Sequence, residues 1–142
     1  MTQLMYTLSW QVSLTDENVL YSYMFIVPSP NVSVSTDPDP LVDGQFLSLV
    51  CIANISLPVD ISITVTMNWS RNGTALTNGS DFTISQVTNV SYMYTSTLFV
   101  SSLSYSDDNN ATYNCSVNVS STASFITGSN TGSDNVVLSV EG

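Results

Sequence analysis

The chain lacks histidine altogether, and among its 142 residues Arg71 is the single basic side chain. Without histidine, the commonest general base, the usual catalytic triad and most zinc sites are excluded. One cation against 11 acidic residues leaves a formal net charge of −10, which cannot neutralise a phosphate backbone or hold an anionic lipid surface. We therefore expect no enzymatic activity, no cofactor and no nucleic-acid partner.

Charges and long apolar runs are also scarce. Charged residues make up 8% of the chain, against about 25% in an average soluble domain. No run reaches the roughly 18 apolar residues of a membrane helix, and the first residues lack the basic and apolar regions of a signal peptide. We therefore expect the chain to be a piece of an ectodomain that meets a membrane only through an anchor outside this chain.

Uncharged hydrogen-bonding residues replace the missing charges, with 25 serines, 16 threonines and 13 asparagines. Such residues favour strands and turns over helices. Apolar and polar residues alternate in short runs separated by Gly, Asn, Asp and Pro, and no long segment keeps a helical period. A chain of this length suits one core. The sequence therefore predicts an all-β sandwich or barrel.

Acceptor triplets for N-linked glycans, Asn-x-Ser/Thr, occur nine times, where about four would arise by chance from this composition. The excess favours secretion, and glycans would supply surface polarity. Trp69 and Cys115 stand in the middle of two triplets, where bulky or cystine-forming residues hinder transfer. The triplets begin at Asn31, Asn54, Asn68, Asn72, Asn78, Asn89, Asn110, Asn114 and Asn118, of which we expect Asn31, Asn72, Asn78 and Asn110 to be used.

The only two cysteines, Cys51 and Cys115, stand 64 residues apart. They have neither the spacing nor the histidine partners of a zinc site, so a disulfide is the simple interpretation. Closing so long a loop stabilises a fold by roughly 4 kcal/mol on the chain-entropy model. A disulfide requires an oxidising compartment, and we therefore expect an extracellular or cell-surface location.

Around the two cysteines the sequence resembles the immunoglobulin superfamily, over about residues 28–141. The resemblance rests on Cys51 in strand B, Trp69 in strand C, Leu98 in strand E, and Tyr113 two residues before Cys115 in strand F. It implies a two-sheet antiparallel Greek-key sandwich, with the indole packed on an inter-sheet disulfide and the tyrosine hydroxyl bonded back to the chain.

One departure from the family pattern concerns a salt bridge. The usual aspartate four residues before the tyrosine is Asn109 here. We find no Arg or Lys ahead of strand D to pair with such an aspartate. The sequence therefore predicts that this common salt bridge is absent.

We divide the chain into residues 1–27 and an immunoglobulin-like domain at 28–142. Residues 1–27 alternate strictly in two runs joined by a turn, which predicts a pair of strands. They also look like a weak internal repeat of residues 97–119. Two interpretations stay open: a remnant of a preceding sandwich module, or an N-terminal strand element of the same domain.

Three pairs of carboxylates are the remaining candidates for acid–base or metal chemistry. Asp16-Glu17, Asp37-x-Asp39 and Asp107-Asp108 each lie in a predicted turn, where aspartate commonly bonds its own backbone. Calcium wants several converging oxygens, and neither an EF-hand nor a repeated acidic motif occurs. Turn chemistry is the favoured interpretation, with calcium as the minor alternative, so we expect no metal site.

Glycans restrict where a partner could bind. In strands C and F the side chains of Asn68, Asn114 and Asn118 should point outward, and glycans there would block that face of the sheet. We therefore expect a protein partner to contact the loops, above all residues 121–135 between strands F and G.

Phe125 and Ile126 are the expected apolar anchors of that contact, unless they only continue strand F or begin strand G.

The resemblance to the immunoglobulin superfamily implies a recognition module of a metazoan cell-adhesion or receptor ectodomain. Its partner would be a protein ligand or a homophilic cell-surface copy. The alternative function is a structural spacer in a tandem-module ectodomain that binds nothing itself.

Overall fold

The computed structural model describes residues 8–15, 18–36, 40–56, 62–121, 126–127 and 129–142. Short strands dominate these ranges, as the period-two alternation predicts. In chain order the elements are β1 (Leu8–Thr15), β2 (Asn18–Ile26), β3 (Asn31–Thr36), β4 (Leu41–Val42), β5 (Leu47–Asn54), β6 (Thr64–Arg71), β7 (Thr74–Ala75), β8 (Phe82–Ile84), β9 (Thr88–Val90), β10 (Met93–Val100), α1 (Tyr105–Asp108), β11 (Thr112–Ser120), β12 (Ile126–Thr127), β13 (Ser129–Val137) and β14 (Val140–Glu141).

The first sheet has the strand order β3–β5–β10–β8, and β9 pairs with β10 as well. All of its pairings are antiparallel. Strands β5 and β10 bury every second residue, because successive side chains of a strand point to opposite faces. Their register sets Cys51 opposite Ser96 and Leu49 opposite Leu98, so the predicted strand E residue lies in the core.

The second sheet has the antiparallel order β13–β11–β6–β7. The central pair is β11 with β6, in which Cys115 stands beside Trp69. The inward residues of the two sheets form one core between them. Burial of such a side chain contributes about 1.5 to 3 kcal/mol. The largest residues of the core with almost no exposure are Trp69, Tyr113, Leu47, Leu49, Leu98, Leu103, Leu138, Val117 and Val119.

This arrangement confirms the predicted all-β fold of two antiparallel sheets. The first sheet corresponds to strands A, B, E and D of an immunoglobulin domain, and β6, β11 and β13 correspond to C, F and G. A further short sheet forms where β4 and β14 pair in parallel, Leu41 with Val140. The only helix in the described residues, α1, is far too short to cross a membrane.

The N-terminal strands form a sheet of their own. Strands β1 and β2 make an antiparallel hairpin from Leu8 opposite Phe25 to Thr15 opposite Asn18, as the alternation of residues 1–27 predicts. Strand β12 pairs in parallel with β2, Ile126 beside Phe25. The division at residues 27 and 28 stays a prediction.

The predicted loop over residues 121–135 is wrong in its second half. Ser129 to Asn135 belong to β13, which pairs with β11 along its whole length. No apolar alternation marks residues 129–135, because the inward positions of this part of β13 are Asn130, Gly132 and Asp134. These residues face the segment before and within β3 rather than the core, so a strand forms without an apolar pattern.

Candidate functional site

A disulfide between Cys51 and Cys115 joins the two sheets, with an S–S distance of 2.09 Å and a Cα–Cα distance of 6.3 Å. The predicted pairing is confirmed. Trp69 lies next to Cys115 in the register and is 1% exposed. Its indole Nε1 donates to Ser96 Oγ at 3.0 Å, and Ser96 stands opposite Cys51. The indole and the disulfide therefore share one buried environment.

Tyr113 anchors strand β11 through a carboxylate rather than through the main chain. Its hydroxyl donates to Asp108 Oδ1 at 2.6 Å, and Asp108 Oδ2 accepts the Ser104 amide at 2.7 Å. Asp108 is 1% exposed. The expected bond of the tyrosine back to the preceding chain segment exists, and its acceptor is this buried side chain.

The prediction that the domain lacks its salt bridge is wrong. Arg71 Nη1 lies 3.1 Å from Asp108 Oδ1, and the guanidinium also lies over the Phe82 ring, 5.2 Å from its centroid. Arg71 ends β6, ahead of β8, and Asp108 stands five residues before Tyr113 instead of four. Asn110 adopts a φ of +64° within the extra length, a conformation that asparagine tolerates better than most residues.

These contacts change two proton affinities. Burial raises the pKa of the Tyr113 hydroxyl, and its bond to Asp108 raises that pKa further, although Arg71 opposes the shift. Burial alone would lower the pKa of Arg71, but Tyr113 and Asp108 outweigh it and raise that pKa above its usual value. Arg71 is thus a cation, and Tyr113 a neutral donor, at physiological pH.

The structure describes one of the three carboxylate pairs, Asp107-Asp108 at the end of α1, and Asp108 accepts a nearby backbone amide, as turn chemistry implies. Asp108 is bonded to Ser104, Tyr113 and Arg71. Within the ranges the structure describes, no group of three or more His, Cys, Asp or Glu is placed to hold a metal ion. The pairs Asp16-Glu17 and Asp37-x-Asp39 lie outside the described residues.

The outer surface of the second sheet is uncharged and, apart from Ala75 and Val137, polar, and we call it the polar face. Asn68 is exposed there and Asn114 and Asn118 are half-buried. The period of an Asn-x-Ser triplet equals that of a strand, so its asparagine and serine share one face while its middle residue enters the core. The polar face comprises Thr64, Thr66, Asn68, Ser70, Asn114, Ser116, Asn118, Ser120, Ser129, Thr131, Ser133 and Asn135.

Three acceptor asparagines, Asn72 and Asn78 between strands and Asn89 in β9, use the side-chain oxygen within the domain. Asn72 Oδ1 accepts the Thr112 amide at 2.9 Å, and the Asn78 and Asn89 oxygens accept the Ile84 and Tyr92 amides at 2.6 and 3.1 Å. N-linked glycosylation uses the other side-chain atom, Nδ2, so these hydrogen bonds to Oδ1 are compatible with modification. Asn31, Asn54 and Asn110 are exposed. Use of any of the nine acceptors stays a prediction.

The outer surface of the first sheet is different, and we call it the apolar face. Phe46 is 55% exposed and Val90 66%, and the Phe46 and Phe99 rings stack with centroids 5.8 Å apart. The five strands of this sheet contain no charged residue. By register and exposure the apolar residues of this face are Phe46, Val50, Ile52, Val90, Met93 and Phe99, and the polar residues Ser33, Ser35, Ser48, Thr95 and Thr97 lie on the same surface.

Of the two residues predicted to bind a partner, the structure describes only the main chain of one. Phe125 lies outside the described residues. Ile126 has its backbone in β12, paired with Phe25 of β2, and its side chain lies outside the described part of the structure. The structure therefore places the main chain of Ile126 in a short strand.

Comparison with known proteins matches a family model, "Immunoglobulin C1-set domain", to residues 32–122, a stretch that contains both cysteines and the residues of the resemblance. The chain belongs to the immunoglobulin C1-set family. Among solved structures, this C1-set domain is similar to a crystal structure of a chicken TCR, with 12% sequence identity and a TM-score of 0.50.

That match covers 96% of this chain and 64% of the TCR chain, so the C1-set chain spans less than two thirds of its length. At this identity the likeness concerns the fold alone. No curated protein sequence matches the C1-set chain.

Proposed function

We propose that this C1-set domain is an extracellular recognition module of a receptor or cell-adhesion ectodomain, which binds a protein partner and performs no chemistry on it. The disulfide supports an oxidising compartment. The excess of acceptor triplets supports a secreted glycoprotein. Membership of an immunoglobulin family supports recognition, although function must be argued from a surface rather than from a fold.

The observation that carries the proposal is the contrast between the polar face and the apolar face. Contiguous exposed apolar side chains mark interaction sites on soluble domains. Phe46 and Phe99 are the largest of them, and aromatic residues are enriched among the residues that dominate interface energetics. Three acceptor asparagines occupy the polar face, and two more, Asn31 and Asn54, stand opposite each other at the Met93 end of the first sheet. Glycans at these positions would leave the Phe46–Phe99 end of the apolar face as the accessible sheet surface.

Charge favours a partner that is a different protein with an apolar contact surface and a cationic rim. Two copies of a chain with a net charge of −10 repel each other at a distance. Asp81 is exposed just before β8, and its carbonyl accepts the Ser101 amide at 3.0 Å, so an acidic residue lies at the end of β10 that contains Phe99. A basic residue of the partner could pair with it.

The test compares two exposed apolar residues on opposite sheets. The glycosylated domain, made in secreting eukaryotic cells and multimerised, is measured for saturable binding to a panel of intact cells. We expect Phe46→Ser to weaken binding at least tenfold, equivalent to about 1.4 kcal/mol. Val137→Ser, at a residue of β13 that is 57% exposed, should leave binding unchanged.

Other outcomes separate the alternatives. Equal binding by Phe46→Ser and wild type would show that the apolar face is not the contact. Self-association of the wild type in sedimentation, lost in Phe46→Ser, would replace the foreign partner by a homophilic one. Absence of saturable binding by the wild type on every cell type would favour the structural spacer.

A further inference from the structure

The inward positions of β13 contact the main chain of the segment that follows the N-terminal hairpin. Residues 130, 132 and 134 point away from the polar face, at the phase where a core strand would carry apolar side chains. They are Asn130, Gly132 and Asp134. We call residues 27–34 the junction segment, because it begins one residue after β2 ends and runs into β3.

Each of the three positions meets the junction segment at a different point. Asn130 Nδ2 donates to the Val27 carbonyl at 3.1 Å, and Asp134 Oδ2 accepts the Val34 amide at 2.8 Å. At Gly132 there is no room for a side chain. A Cβ there would lie 2.7 Å from the Pro30 carbonyl oxygen and 3.0 Å from the Pro30 ring.

The two hydrogen bonds go to main-chain groups of the junction segment, and the closest approach at Gly132 is also to a main-chain atom. Proline has no amide, so Pro30 could not complete a ladder of backbone bonds with β13. A glycine opposite it allows close approach instead. Val27 is 2% exposed, and Pro28 and Pro30 are buried. The junction segment is therefore largely buried as well as hydrogen-bonded.

The same alignment continues into the N-terminal sheet. β12 runs parallel to β2, with Ile126 beside Phe25 and Thr127 beside Ile26. Asn130 then meets Val27, Gly132 approaches Pro30 and Asp134 meets Val34. Residues 126–127 and 129–134 thus accompany residues 25–34 in the same direction.

We propose that β12 and β13 form an intramolecular docking site for the junction segment, which fixes the β1–β2 hairpin relative to the C1-set domain. The hairpin and the C1-set domain are then connected by a packed, hydrogen-bonded contact rather than by a flexible hinge. This property is independent of whether the apolar face binds a partner. It would apply equally if residues 1–27 were the end of a preceding module.

Amide hydrogen exchange on the whole glycosylated chain tests the proposal, with Gly132→Ala as the first variant. The added methyl must displace the Pro30 carbonyl. We expect exchange in peptides covering residues 18–36 to accelerate at least tenfold, while peptides of β5 and β10 stay protected. Gly79→Ala is the matched control, since a Cβ at Gly79 meets no atom within 4 Å. Unchanged exchange over residues 18–36 in Gly132→Ala would overturn the docking site.

Asn130→Asp serves where Gly132→Ala also loosens the core. The side chain keeps its size and the oxygen that accepts the Thr131 amide, but it loses the donor to Val27 and sets a carboxylate against that carbonyl. Faster exchange confined to residues 18–36 supports the docking site. Exchange at the wild-type rate in this variant contradicts it, because the Val27 bond would then contribute nothing to the position of the hairpin.

Discussion

Ser96 accepts the indole hydrogen bond of Trp69 at 3.0 Å within the core, and Ser96 itself is fully buried. The pair links strand β10 of the first sheet to strand β6 of the second, beside the disulfide. This one donor explains why a serine stands among the apolar residues on the buried face of β10. Without the hydroxyl, the indole N–H would be a buried donor with nothing to replace that bond.

We therefore expect Ser96→Ala to lower the free energy of unfolding by about 1 to 3 kcal/mol, the range for an orphaned buried donor. Urea denaturation followed by tryptophan fluorescence measures the change. Ser133→Ala, on the polar face, is the control and should change stability by less than about 0.5 kcal/mol. Equal effects of the two substitutions would contradict the role of Ser96.

Asp108 holds Arg71 and Tyr113 together, so its substitution should be among the more destabilising polar changes. We expect Asp108→Asn to lower the free energy of unfolding by about 2 to 4 kcal/mol, because bonds to a buried charge are lost and Arg71 is left unpaired. Asp107→Asn, at an exposed neighbour, is the matched control. Thermal unfolding that ranks the two variants equally would show that the ion pair contributes little.

The raised pKa of Tyr113 predicts how the free energy of unfolding depends on alkaline pH. Its pKa in the folded state is raised above the ordinary value of 10.0, chiefly by burial and then by Asp108. The neutral phenol therefore contributes stability that is complete below about pH 10 and is lost as pH rises through the folded-state pKa. We expect the free energy of unfolding to fall above about pH 10, and to fall less steeply in Tyr113→Phe.

Tyr105→Phe is the control for that experiment, because Tyr105 is 48% exposed. Its alkaline slope should match the wild type. Denaturant unfolding at a series of pH values supplies both slopes. An unaltered slope in Tyr113→Phe would assign the alkaline loss to another group, of which Tyr94 is the next candidate, since burial raises its pKa too.

Phe125 and Ile126 are the sequence-based candidates for a loop contact. If they anchor a partner, the double substitution to serine should abolish binding to the cells that bind the wild type. Binding would be unchanged if the domain bound only through the apolar face. A spacer would show no binding in either form. Parallel measurement with Phe46→Ser therefore distinguishes the loop from the sheet.

Glycopeptide mass spectrometry tests how the two outer faces are used. We expect glycans at Asn31, Asn72, Asn78 and Asn110, where the asparagine is exposed and its triplet lies in or beside a turn or a strand end. Glycans at Asn68, Asn114 or Asn118 would cover the polar face. Bare asparagines at all three would reopen that face as a contact surface and weaken the argument for the apolar face.

Much of the fold could be predicted because its signals are local. Strand alternation identified the inward phase of Trp69, Leu98 and Tyr113, and all three lie in the core. The salt bridge was missed because the family pattern specifies an aspartate four residues before the tyrosine, and Asp108 stands five residues before Tyr113. Arg71 is the only cation of the chain and two aspartates precede Tyr113, so the signal was present but shifted by one residue.

The first part of strand β13, residues 129–135, was missed for a different reason. Its inward residues contact the junction segment, about a hundred positions earlier in the sequence, and no local pattern marks a strand whose inner side is polar. The apolar face was not predicted either, although the alternation that turns Cys51 inward also turns Phe46, Val50 and Ile52 outward.

The sequence by itself determined the disulfide, since two cysteines allow one intramolecular pairing, and the inward phase of each strong strand, since side chains alternate with a period of two. It also determined the acidic, histidine-free chemistry. Only the tertiary structure decided which carboxylate meets Arg71, which residues seat the junction segment and which sheet surface is apolar. Those properties depend on distances between segments remote in the chain, which are set when the two sheets pack and not by the local alternation of residues.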